Sequence, residues 1–173
     1  ASTVSGYVRM YKNNDGDFTS ISEFNMGSQS FKVRFSDINN DGFPEIIASK
    51  RNGTVVIFEN DNGIMNTDEP LFSPSGHGGM SFDVGDVDND GWKDIVTVKD
   101  GTLLLYRNIN GTFSDNPQPI VSPPTYPKSI TLTNLDDDNS LELIVGNFNR
   151  PNFILQNTNG SFESDAAWLA AGI

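Results

Sequence analysis

The chain repeats itself, and the repeat restricts the fold more than any other feature. Three segments align without gaps: SDINNDGFPEIIAS from Ser36, GDVDNDGWKDIVTV from Gly85 and TNLDDDNSLELIVG from Thr133. Their second residues, Asp37, Asp86 and Asn134, are spaced by 49 and 48 positions. Each segment is followed by a second shared pattern: NGTVVIFENDNGIM, DGTLLLYRNINGTF and RPNFILQNTNGSFE. The chain also opens with one copy of this second half alone, SGYVRMYKNNDGDF. Two patterns recurring in fixed order at a near-constant period are one supersecondary unit used several times.

Within each unit the apolar pattern reads as four strands. Short alternating stretches (FKVRFS, MSFDVG, KSITLT) precede the acidic loops. Nearly continuous apolar runs follow them (EIIAS, DIVTV, ELIVG), as suits a strand buried on both faces. A third strand (TVVIFEN, TLLLYRN, NFILQN) then leads through an Asn-Gly turn to a fourth, weaker one; both residues of such a turn tolerate positive φ. Four antiparallel strands per unit of about fifty residues make the blade of an all-β β-propeller, or of a propeller arc. The expected divisions are a half blade of outer strands over 1–26, blades over 27–75, 76–124 and 125–165, and a tail over 166–173. The tail is not strand-like and reads as a short helix or a frayed end.

Composition excludes several function classes. A formal net charge of −12 makes nucleic acid or an anionic membrane surface a poor partner. With no cysteine there is no disulfide, thiolate metal site or cysteine nucleophile. No apolar run is long enough to insert in a bilayer, and the first residues lack the regions of a signal peptide. The single histidine, His77, lies in SGHGGM and reads as a solvated loop residue. Nucleophile-elbow and phosphate-loop motifs are missing, so the chain is expected to be non-catalytic.

The acidic loops explain themselves if each holds a cation. Oxygen ligands at positions 1, 3 and 5 with glycine at 6 let a loop wrap around a hard ion. The second loop offers Asp86, Asp88, Asp90, the Trp92 carbonyl and Asp94. The first offers Asp37, Asn39, Asp41, the Phe43 carbonyl and Glu45. The third, with Asn134, Asp136, Asp138, Ser140 and Glu142, has Asn139 in place of the glycine and is expected to bind more weakly. An EF-hand begins the same way but needs glutamate at position 12, where this chain has Ala48 or Thr97. All-oxygen ligation favours Ca2+, with two full sites and a weaker third. The three loops hold 11 of the 23 acids, so three dications would bring the formal charge from −12 to about −6.

Asp-x-Asn/Asp-x-Asp-Gly-x-x-Asp/Glu followed by a buried strand resembles the FG-GAP/VCBS repeat, as in the calcium-binding blades of integrin α-subunit propellers. The resemblance runs from about Gly6 to Glu163. It implies an extracellular or cell-surface setting, where millimolar calcium fills weak sites. It also implies one of several roles: adhesion, ligand binding, or an accessory domain of a secreted polysaccharide lyase or glycoside hydrolase. Three and a half blades fall short of the usual four to eight of a closed ring. The expected partners are therefore other copies of the chain or a missing propeller segment, with carbohydrate or a cell-surface protein as ligand. Trp92 and Tyr126 are the candidate sugar-stacking residues, and Asn52, Asn110 and Asn159 are glycosylation sequons.

Overall fold

The computed structural model describes residues 6–26, 29–51, 54–74, 81–120, 126–136 and 138–164. Their regular structure is all antiparallel β. Tyr7–Asn14 pairs with Asp17–Asn25 as the outer half of a blade. Ser30–Ser36, Glu45–Lys50 and Val55–Phe58 form the sheet of the first whole blade. Phe82–Gly85, Asp94–Lys99, Thr102–Tyr106 and Gln118–Ile120 form the second, and Pro127–Thr133, Glu142–Asn147, Phe153–Thr158 and Ser161–Ser164 the third. The expected boundaries between units all fall at or within residues outside the described ones, as do the tail, His77 and Asn52.

The turns follow the sequence. Asp15-Gly16, Asn62-Gly63, Asn110-Gly111 and Asn159-Gly160 all have positive φ at both residues, the condition for a tight hairpin between right-twisted strands. The fourth strand differs from blade to blade. In the first it shrinks to one bridge, where Ile57 donates to the Phe72 carbonyl at 2.9 Å and accepts from Leu71 at 2.8 Å. Pro70 and Pro74 flank this bridge and have no N–H to extend the ladder. In the second, Gln118–Ile120 carries Pro119 but tolerates it as an edge strand.

The apolar cores lie between blades. Alternate residues of each second strand point to opposite faces. Ile46 and Ala48 pack with Val8 and Met26 of the half blade, whereas Ile47 packs with Ile95 and Phe82 of the second blade. Val96 and Val98 in turn pack with Leu143, Val145 and Leu155 of the third. Glu45–Lys50 and Asp94–Lys99 are thereby buried along five of six residues, as their continuous apolar runs required. Position 2 of each acidic loop joins the seam: Ile38 and Val87 are fully buried, while Leu135 of the third loop is 42% exposed.

Polar contacts tie the innermost strands together. Asp83, buried in the second blade, pairs with Arg34 of the first at 2.5 Å and accepts from the Leu132 N–H of the third at 2.9 Å. Gly85 lets the third blade approach, since a side chain there would run into Leu141.

Candidate cation centres

The loop between the first two strands of each blade is folded by its own carboxylates. In the second loop Asp86 accepts from the N–H of Asp90 at 3.1 Å and Gly91 at 2.9 Å, and Asp90 accepts from Trp92 at 2.8 Å. Gly91 closes the wrap with φ +91°, a conformation that side chains disfavour. Asp94 opens the buried strand and accepts from Val87 at 3.2 Å and Asn108 at 2.8 Å. Burial pushes the Asp94 carboxyl up to about 6, against the pull of those two N–H groups; Asp88 adds to the rise and Arg107 opposes it. Asp86, Asp88 and Asp94 each offer an oxygen within 4.8 Å of the others.

The first loop uses the same frame. Asp37 accepts from Gly42 at 3.0 Å, Asp41 from Phe43 at 2.8 Å and Glu45 from Ile38 at 2.9 Å. Asn39 turns its amide toward Asp41 at 3.0 Å, and the carboxylates of Asp37, Asp41 and Glu45 do not gather within 4.8 Å. Two of its buried oxygens, Asp37 Oδ1 and Glu45 Oε1, have no hydrogen-bond partner. Burial holds the Glu45 carboxyl above its ordinary range, and Asp41 and Asp37 reinforce this against the Ile38 N–H.

The third loop keeps the frame despite its departures. Glu142 accepts from Leu135 at 2.8 Å and Asp138 from Ser140 at 2.7 Å. Asn139 takes φ +70° where the other loops have glycine, and Asn134 stands exposed at position 1. Asp136, Asp138 and Glu142 gather as the second loop's acids do. Carboxylates thus converge in the second and third loops, whereas sequence pattern ranked the first and second highest.

Two positions beside the loops escaped the sequence reading. Asn108 Nδ2 donates to the Ile38 carbonyl of the preceding blade's loop at 2.7 Å and to Lys93 O at 3.1 Å. Asn157 Nδ2 reaches Val87 O in the same way at 2.8 Å. The signal was present, because Asn60, Asn108 and Asn157 each stand two residues before an Asn-Gly turn. One residue earlier, Arg107 reaches Asp88, and Gln156 donates to Asp136 at 2.7 Å.

The remaining candidates lie outside the loop interiors. Trp92 and Phe43 are half-buried at position 7, and the Trp92 ring rests against Gly111 of its own blade's turn. Tyr126 is 59% exposed with Arg150 over its ring at 5.2 Å, and lines a groove of about 520 Å³ with Phe148, Asn149 and Pro151. Asn110 and Asn159 are exposed at the turn tips.

The loops are suited to a hard cation. Their donors are all oxygen, and an ion would satisfy the buried carboxylate oxygens that the protein leaves without a partner: Asp37 Oδ1, Glu45 Oε1 and Asp88 Oδ1. Among the described residues no helix is long and apolar enough to cross a membrane. No curated protein matches the chain. The model of the FG-GAP-like repeat matches it three times, over residues 1–48, 37–97 and 86–145.

Proposed function

The chain belongs to the FG-GAP-like repeat family, and on that premise we propose that it is a calcium-stabilised, non-catalytic β-propeller module. It works outside the cell or at its surface in adhesion, ligand binding or assembly. The observation that carries the calcium reading is the set of buried carboxylate oxygens without partners, Asp37 Oδ1, Glu45 Oε1 and Asp88 Oδ1. Burying an ionised oxygen away from both water and a donor is costly. A calcium ion accepts six to eight such oxygens, and these loops supply carboxylate, amide and carbonyl oxygens in that style. Bound there, the ion supplies charge neutralisation; the chain's own residues hold the blade edges on which a partner rests.

Calcium at about 1 mM is expected to raise the free energy of unfolding by roughly 0.4–1.4 kcal/mol per filled site, for the weak affinities of extracellular modules. Urea unfolding followed by circular dichroism, in calcium and in chelator, measures the difference. Coincident curves would refute the calcium reading. Asp37→Asn and Glu45→Gln should each remove part of the gain.

Support for assembly comes from Leu135. Its counterparts Ile38 and Val87 are sealed by the following blade, and its exposure marks a face that a further blade, from another copy or another propeller segment, would cover. A second reading, carbohydrate binding as in an accessory domain of a polysaccharide-degrading enzyme, is favoured by the exposed Tyr126 and Phe148 rings beside Arg150. If it holds, a glycan array shows binding that Tyr126→Ala abolishes; a blank array would remove it.

A further inference from the structure

Arg107 lies among the acids of the second loop. Its Nη1 is 2.5 Å from Asp88 Oδ2 and 3.7 Å from Asp94 Oδ2, and its Nη2 donates to Gly160 O of the third blade's turn at 2.9 Å. Gly160 leaves room for this contact, since a side chain there would run into the guanidinium. The matching residues of the other two blades are Glu59 and Gln156, one negative and one neutral. Gln156 makes the corresponding bond to Asp136 at 2.7 Å but brings no charge.

The geometry assigns Arg107 as the second loop's own counter-cation, a guanidinium that balances Asp88 and Asp94 and lowers the loop's affinity for calcium below that of the first. The inference rests on the calcium reading and ranks the sites within it. A divalent ion entering the second loop must either share Asp88 with a like charge or displace the arginine, which also breaks the bond to Gly160. Arginine stays protonated at any working pH, so titration does not relieve the competition. The first loop has Glu59 where the second has Arg107, and it leaves two buried carboxylate oxygens without partners, against one in the second. By acid count alone the second loop, with Asp86, Asp88, Asp90 and Asp94, would be the strongest; Arg107 inverts that order.

Trp92 stands at position 7 of the second loop, but its ring shares Gly111 as a neighbour with Asn39 of the first loop. In a W168F/D37N background, which removes the other tryptophan and a ligand of the first loop, terbium(III) emission excited through tryptophan reports filling of the second loop. The expected result is that R107Q lowers the half-saturating terbium concentration by about tenfold or more. R107K, which keeps the charge but loses the fork, stays near the parent and so separates charge from the contact with Gly160. Equal midpoints for parent and R107Q, or an R107K shift as large as that of R107Q, would overturn the assignment. Should R107Q fail to fold, calcium counted by equilibrium dialysis on the full chain decides. At calcium just sufficient to fill the tightest site, Asp37→Asn should remove a bound ion and Asp86→Asn should not; the reverse overturns the assignment. Calcium on neither the parent nor any variant refutes both this assignment and the reading beneath it.

Discussion

Replacing Asn108 with alanine is expected to cost roughly 2–4 kcal/mol of stability, because it takes the side-chain donor from one buried and one part-buried carbonyl. The side chain is 1% exposed, and its amide joins Ile38 O in one blade's loop to Lys93 O in the next. The seam beside Ile38 O is lined by the apolar Ile95, Phe82 and Tyr106, where an unpaired carbonyl is costly. Asn157→Ala should behave alike, since it removes the donor to Val87 O and the acceptor for Gly160 N–H at 2.8 Å. Asn60→Ala should cost well under half as much, because its amide donates to Pro44 O at 3.0 Å and accepts from Gly63 N–H at 2.9 Å within its own blade, both at exposed sites. Urea midpoints for the three variants give the comparison. Equal losses at all three positions would show that the asparagines act within their own turns rather than between blades.

Phe82→Ala carries the other large effect, about 3–5 kcal/mol, the usual cost of emptying a packed aromatic site. Phe82 is fully buried between the first and second blades, against Ile38, Ile47, Phe72 and Tyr106. Lys32 closes the site, with its Nζ 5.4 Å from the ring centre and donating to Phe82 O at 2.6 Å. Both neighbouring sheets are fixed by their ladders and can collapse only partly into the gap. Phe18→Ala, at a ring 68% exposed, should change stability by about 0.5 kcal/mol or less and serves as the control in the same urea titrations.

The strands, the turns and the acidic loops were legible in the sequence because each has a local cause. Period-two alternation, Asn-Gly dipeptides and carboxylates at fixed offsets act over a few residues, and repetition made each signal visible several times. The strand run EIIAS even announced its two-sided burial, which the neighbouring blades supply at Ile46 and Ile47. The ranking we propose for the loops was not legible, because it rests on residues more than a dozen positions away. Arg107 is 19 residues from Asp88 and nothing in the loop itself marks it; only the folded third strand brings its guanidinium to those acids. Asn108 meets Ile38 across 70 residues. The first blade's fourth strand, reduced to one bridge, lies between these cases: Pro70 and Pro74 were in plain view, but their effect depends on which side of the edge their absent N–H groups would have faced.

Because each apolar core among the described residues lies between blades, none of these blades shows one of its own there. A seam belongs equally to the sheets on either side, so the smallest piece able to stand alone is a pair, and stability accumulates along the array like the links of a one-dimensional chain. A blade added or removed at an end changes the total by a single seam and leaves the others as they were. Such an architecture lets a lineage alter its length in whole units without redesigning an interior, while a defect in any one seam divides the array in two.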